Sequence, residues 1–192
     1  GASDTEPKYL EAEHPNHVWA IDYQDDQSSD GKRLRILNVV DEFTREVLAV
    51  EVARSITADR TVEVLEALLK ARGKAPTFIS MDNGPELTSQ AFTDWCQRRG
   101  IDIRFIEPGK PNQNAYIESF NGKFRDECLN ENWFESLAQA REVIAIWRKD
   151  YNEVRPHGTI GRMPPAEFAA KHRNATPSTT NAGSVNLQTP GP

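Results

Sequence analysis

Three acidic side chains stand where a purely structural role explains them poorly. Asp22 interrupts an apolar, β-rich run between Ile21 and Tyr23. Asp82 closes the run Thr77-Phe78-Ile79-Ser80-Met81, and Glu118 sits in Ala115-Tyr116-Ile117-Glu118-Ser119-Phe120, an apolar part of a helical stretch. Carboxylates gathered in one place raise one another's pKa, so such a group persists only when cations neutralise it. Hard divalent ions suit oxygen ligands. Two Mg2+ ions about 3.5–4 Å apart can activate an attacking oxygen and stabilise a leaving one in phosphodiester displacement. Each acid alone also has an ordinary reading. Asp82 before Asn83-Gly84-Pro85 could form a turn through its own backbone, Glu118 could be a solvated helix residue, and Asp22 could pair with Arg35.

The spacing of apolar residues says which elements carry these acids. Residues 17–25, 34–41 and 46–53 are β-rich and joined by close turns at Asp30-Gly31 and Asp41-Glu42-Phe43-Thr44-Arg45, which predicts an antiparallel meander. Val62, Val64, Leu65, Leu68 and Leu69 then recur at helical spacing within residues 57–72, with Thr57 or Asp59 as cap and Gly73 and Pro76 as stop. Next come a strand over 77–81, a helix over 88–99 closed by Gly100, and a strand over 101–106. A rigid Pro108-Gly109-Lys110-Pro111 loop precedes helices over 112–129 and 135–151. The order βββ-α-β-α-β-α-α predicts an α/β fold, a five-stranded mixed sheet (antiparallel meander plus parallel strands) with helices on both faces. Asp82 then lies beyond the carboxyl end of its strand, where ligands collect in open α/β sheets.

The 192 residues suit one domain with tails: 1–16 as a leader or cloning remnant, 17–172 as the core, and 173–192 as a polar tail expected to be disordered. A net charge of −6 leaves any DNA contact to the placement of charge rather than its total. No apolar run approaches the roughly 20 residues of a membrane span, and the N-terminus lacks a secretory signal. Cys96 and Cys128 have no metal-type spacing and read as buried thiols of a cytoplasmic protein. Residues 26–31 begin like a calcium loop, but Leu37 stands where a bidentate Glu is needed, so a hairpin is expected. His14, His17, His157 and His172 show no metal-ligand spacing, and Asn174-Ala175-Thr176 is a glycosylation sequon without meaning in the cytoplasm.

Three runs tie the acids together: Trp19-Ala20-Ile21-Asp22-Tyr23, Ser80-Met81-Asp82-Asn83-Gly84-Pro85-Glu86-Leu87, and Asn114-Ala115-Tyr116-Ile117-Glu118-Ser119-Phe120-Asn121-Gly122. In this order they resemble the catalytic core of bacterial insertion-sequence transposases of the family named after insertion sequence three, relatives of retroviral integrases. That family carries an Asp, a second Asp, and a Glu with 35 residues between the last two. Residues 83 to 117 supply those 35 here, and Arg125 stands seven positions after Glu118, where the family has a basic residue. Leu37 to Arg45, Phe124 to Asn130 and Asp150 to His157 agree with the same family, so the likeness covers roughly His17 to Ala170.

The resemblance implies a ribonuclease-H-like fold and a polynucleotidyl transferase of the DDE type. Water would cut a strand at the element's end, and the exposed 3′-hydroxyl would attack a second phosphodiester, with no covalent enzyme intermediate. It implies Asp22, Asp82 and Glu118 as catalytic and metal-binding residues, holding two Mg2+ ions for which Mn2+ substitutes. Asn83, Lys110, Asn114, Lys123 and Arg125 would touch DNA. Asn114 lies one helical turn before Glu118 and Arg125 two turns after it, so the three share a face. Arg125 could instead pair with an acid such as Asp126. The implied partners are DNA (element ends and target), further copies of the chain in the DNA complex, and a helix-turn-helix region absent from this sequence. The implied location is the bacterial cytoplasm, at the nucleoid when DNA-bound. Two readings compete: a ribonuclease-H-like nuclease without strand transfer, and a catalytically silent DNA-binding or assembly domain.

Overall fold

β-branched and aromatic residues build three antiparallel strands, β1 (Val18–Gln27), β2 (Arg33–Asp41) and β3 (Val47–Ala53), as the meander predicts. The computed structural model describes residues 11–82, 84, 88–107, 109–110 and 113–173; Asn83, most of the leader and the tail past 173 lie outside the described residues. Helix α1 (Ala58–Arg72) starts at Thr57, whose hydroxyl accepts the Arg60 amide, and stops at Gly73, whose φ of 69° suits a residue without a Cβ. Strand β4 (Phe78–Met81), α2 (Gln90–Arg99) and β5 (Asp102–Phe105) follow, and Ser89 and Gly100 cap α2 in the same way.

Helix α3 (Ala115–Phe124) differs from the unbroken helix expected over 112–129. Its last turn, Arg125–Leu129, widens into a π-helix that keeps Cys128 and Leu129 buried. Helix α4 (Leu137–Glu153) is capped by Ser136. A short helix α5 (Pro165–Lys171), with Pro at its start, was not expected from the sequence.

The sheet order is β3-β2-β1-β4-β5, with β1–β4 and β4–β5 parallel. Side chains alternate along β1 and serve two cores. Trp19 and Ile21 pack with Leu65, Phe92 and Trp95 under α1 and α2, while Ala20 packs with Phe120, Phe124 and Ile144 under α3 and α4. The edge strand β3 is covered by α4. Arg141 Nε donates to the Val52 carbonyl (2.8 Å), Arg148 Nη1 to that of Val47 (2.8 Å), and the Asn152 amide both accepts from and donates to Val47. Such capping blocks unwanted strand pairing. Both cysteines are free and buried; burial pushes the Cys96 thiol up to about 12 and the Cys128 thiol up to about 11. Among the described residues no helix is long and apolar enough to cross a membrane.

Candidate active site

Strands β1 and β4 run side by side with Ala20 opposite Ser80. Two residues further along each strand stands an acid, Asp22 on β1 and Asp82 just past β4. Alternation puts both on the Ala20 and Ser80 side of the sheet, the side that α3 covers. Asn121 of α3 donates its Nδ2 to Asp22 Oδ2 at 2.8 Å, and the Tyr23 amide donates to Asp22 Oδ1 at 2.9 Å.

An amide network holds the helix there. Asn38 pairs with Asp22 across β2 and donates to Asn121 Oδ1 (2.9 Å) and Gln24 Oε1 (2.7 Å), while Gln24 Nε2 donates to the Asn121 carbonyl (3.3 Å). Glu118, one turn before Asn121, is thereby held over the same strand. Burial chiefly, and then the charges of Asp82 and Glu118, raise the Asp22 pKa above the ordinary carboxylate range despite its two hydrogen bonds. The topology brings Asp82 and Glu118 within electrostatic reach of Asp22.

Their carboxyl groups nonetheless stand apart. Asp82 and Glu118 are exposed, and Asp82 Oδ1 accepts the Gly84 amide at 3.0 Å, the turn role its sequence context allows. Among the described residues, no three Asp, Glu, His or Cys side chains close on a common point. The surroundings fit a hard divalent cation. The donors are all oxygen, burial and then like charge disfavour the ionised form of Asp22, and among the described residues two buried oxygens, Asn38 Oδ1 and Asn114 Oδ1, have no hydrogen-bond partner. Asn114 precedes α3, and its carbonyl accepts the Glu118 amide at 3.1 Å.

The other candidate residues are scattered around this centre. Arg125 Nη2 donates to the Asp25 carbonyl of β1 (2.8 Å), on the same flank of α3 as Asn121. Lys110 Nζ lies 3.1 Å from Glu107, and Lys123 is exposed on the opposite flank of α3. Arg35 pairs with Asp25 at 2.8 Å, so the ordinary reading of Asp22 as its partner fails. Tyr23 and Tyr116 serve packing: the Tyr23 hydroxyl meets Thr61 Oγ1 (2.6 Å), and the Arg45 guanidinium lies over the Tyr116 ring. The sequence reading missed Asn121, Asn38 and Gln24. No local signal marks them, because their partners come from segments distant in the chain.

The family model described as Integrase core domain matches residues 12–111, and a second model of the same description matches residues 99–165. The chain belongs to the integrase core domain family. This integrase core is 52% identical over 166 residues to "Insertion element IS476 uncharacterized 39.2 kDa protein" of Xanthomonas euvesicatoria, covering 86% of the chain and 48% of that protein. It is 25% identical over 166 residues to "Transposase for insertion sequence element IS629" of Shigella sonnei, covering 86% of the chain and 56% of that protein. The integrase core thus spans about half the length of these relatives. Among solved structures, the HTLV-2 integrase catalytic core domain in complex with magnesium matches with a TM-score of 0.61 at 20% identity, covering 81% of this chain and 97% of that one. The fold is ribonuclease-H-like.

The raised Asp22 pKa has a consequence for the metal-free integrase core. The folded chain keeps a proton that the unfolded chain gives up, so stability is greatest below the ordinary carboxylate pKa and falls as pH rises through the raised one. Asp22→Asn removes the charge and keeps an oxygen for one of the two donors. In chelator at neutral pH it should melt higher than wild type by roughly 2–4 °C, on the order of 1 kcal/mol. Thermal melts across that pH range check this, and a variant that melts lower would show that the Asp22 charge is not strained.

Proposed function

We propose that this chain is the catalytic domain of an insertion-element transposase, a DDE-type polynucleotidyl transferase that cleaves DNA strands and joins their 3′-hydroxyl ends to target DNA. One observation carries the reading. The β1–β4 register pairs Ala20 with Ser80, two residues before Asp22 and Asp82, and the Asn121 bond to Asp22 holds α3, which carries Glu118, against the same strand. The insertion-element names of the relatives agree with it.

Asp22, Asp82 and Glu118 would hold two Mg2+ ions, or Mn2+ in their place. Bound metal supplies Lewis acidity toward the attacking and leaving oxygens of the phosphodiester. Asn121 fixes the orientation of Asp22, while Asp82 and Glu118 would turn toward it on binding. Asn83, Lys110, Asn114, Lys123 and Arg125 position the DNA backbone, which sets register without reading sequence. Recognition of the element's ends falls to the helix-turn-helix region outside this stretch, and pairing two ends requires more than one protomer. The chain acts in the bacterial cytoplasm, on nucleoid DNA. Its own binding to DNA is weak and salt-sensitive, because it rests on phosphate contacts.

The test is to mix the protein with Mg2+ or Mn2+ and a labelled DNA duplex bearing a recessed 3′-hydroxyl, then resolve the strands on a denaturing gel. Products longer than the substrate are expected. Shortened products alone would assign a nuclease without strand transfer. No products, together with no heat of Mg2+ or Mn2+ binding in calorimetry, would assign an assembly domain and overturn the reading.

A further inference from the structure

Helix α3 has a second polar flank. Seen down its axis, Ile117, Phe120 and Phe124 point into the core, and Asn114, Glu118, Asn121 and Arg125 lie on one side of that stripe. Tyr116, Ser119 and Lys123 lie on the other side. There they border a cleft of about 210 Å3 closed by Arg45, His157 and Thr159. We propose that this cleft is a phosphate-binding subsite, which takes a DNA backbone phosphate a few nucleotides from the one cut beside Glu118. The proposal deepens the transposase reading and rests on it.

The cleft is cationic within a chain of net charge −6. Arg45, at the turn between β2 and β3, has a φ of 66°, a conformation uncommon for a residue with a Cβ. Its Nη1 donates to the Glu42 and Phe43 carbonyls, and its guanidinium carbon lies 3.3 Å from the centroid of the Tyr116 ring. Among the described residues the buried Arg45 Nε has no acceptor, so they do not fully satisfy this fixed cation. Lys123 brings a mobile ammonium from two turns further along α3.

His157 closes the far wall. Its Nε2 lies 3.2 Å from the Tyr151 carbonyl and its ring stands edge-on to Tyr151 at 4.5 Å, while its backbone bridges to Met163. Burial chiefly lowers its pKa, and among the charges it feels Lys123, Arg155 and Arg45 all act in that direction, so three cations converge on this wall. Of the acids that act on these cations, Glu42 and Glu11 offset part of the Arg45 charge, and Glu127 is paired with Arg155. Fixed positive charge, a flexible ammonium and the Ser119 and Thr159 hydroxyls make a set suited to a phosphodiester monoanion.

Geometry connects the cleft to the acids. The ridge of α3 between its two polar flanks carries the small residues Ala115 and Gly122, and an added Cβ at Gly122 would meet open space. An α-helix is roughly 10 Å across, and a strand presents one phosphate per about 3.4 Å of duplex axis. A strand crossing the ridge therefore reaches the cleft about three phosphates from Glu118.

The test compares wild type with Lys123→Glu, and with Lys70→Glu on the exposed end of α1, which makes the same change in net charge. Binding to a short duplex is followed by fluorescence anisotropy at several salt concentrations. Lys123→Glu should bind roughly three- to tenfold more weakly at low salt, with the log–log salt slope reduced by about 0.9, whereas Lys70→Glu should change neither. Single methylphosphonates are then placed along the strand. One position about three phosphates from the cut should weaken wild type but not Lys123→Glu, the non-additivity of groups in contact. Equal weakening by both variants, or additive losses at every position, overturns the subsite while leaving strand cleavage untouched. A wild type that neither binds nor cuts the duplex overturns the transposase reading as well.

Discussion

Asp82→Asn and Glu118→Gln are each expected to lower the rate of metal-dependent strand cleavage at least about a thousandfold while leaving the fold intact. A thousandfold corresponds to about 4 kcal/mol of transition-state stabilisation, the scale on which a bound metal offsets developing charge on phosphoryl oxygens. Replacing an anionic oxygen by a neutral amide keeps the shape and removes the charge that holds the ion. Both side chains are exposed, so stability should change by no more than roughly 0.5 kcal/mol. Asn at position 82 can still accept the Gly84 amide, so the turn survives. Glu142→Gln, an exposed acid on α4, is the control and should cleave like wild type. Asn121→Ala should fall between them, with roughly 10- to 100-fold weaker metal binding, because it orients Asp22, the proposed ligand, without being one. Gel-based cleavage rates and metal calorimetry, alongside thermal melts, separate these outcomes. Cleavage by Asp82→Asn or Glu118→Gln within tenfold of wild type would remove that acid from the catalytic centre.

What the sequence made legible follows the range of the interactions concerned. Strands β1 to β3 and helices α1 and α2 were readable because alternation, helical spacing and caps such as Thr57, Gly73 and Gly100 are local signals. The three acids were readable as a group through the spacing of their motifs. That β4 lies against β1 was not, because parallel neighbours are chosen by packing between segments some sixty residues apart, such as Trp19 and Ile79. The Asn38–Asn121 bond spans 83 residues, and nothing local distinguishes these amides from solvated ones. Helix α5 escaped notice because seven residues, beginning with the second of two prolines, are too few to show a period. The π-turn at Arg125–Leu129 reflects tertiary demand. Cys128 and Leu129 must reach the core while Arg125 reaches Asp25, and one extra residue in the turn allows both.

Asp41→Ala is expected to cost about 3–5 kcal/mol of stability, a large share of the 5–15 kcal/mol typical of a domain. Asp41 is 0% exposed at the end of β2. Its Oδ1 accepts the Phe43 and Thr44 amides (2.9 and 3.1 Å), and its Oδ2 accepts the Asn16 amide (2.8 Å), with Arg72 Nη2 at 3.6 Å. Truncation strands these donors, and each unsatisfied buried group costs about 1–3 kcal/mol. Asp41→Asn keeps one oxygen and should lose less. The effect extends to the acids, because Asp41 pairs with Trp19 in the β1–β2 register and holds Asn16, which in turn accepts Trp19 Nε1 (3.1 Å) and Arg72 Nε (2.6 Å). These bonds fix the entry of β1, three residues before Asp22. Urea titrations should show a lower midpoint with an unchanged slope, since the surface exposed on unfolding stays the same. Under conditions where Asp41→Ala is still folded, its metal affinity should also fall, because β1 is no longer anchored at its start. A loss of stability below about 1 kcal/mol would mean that Arg72 and Asn16 hold the strand without it, and that the turn after β2 is no part of what positions the site.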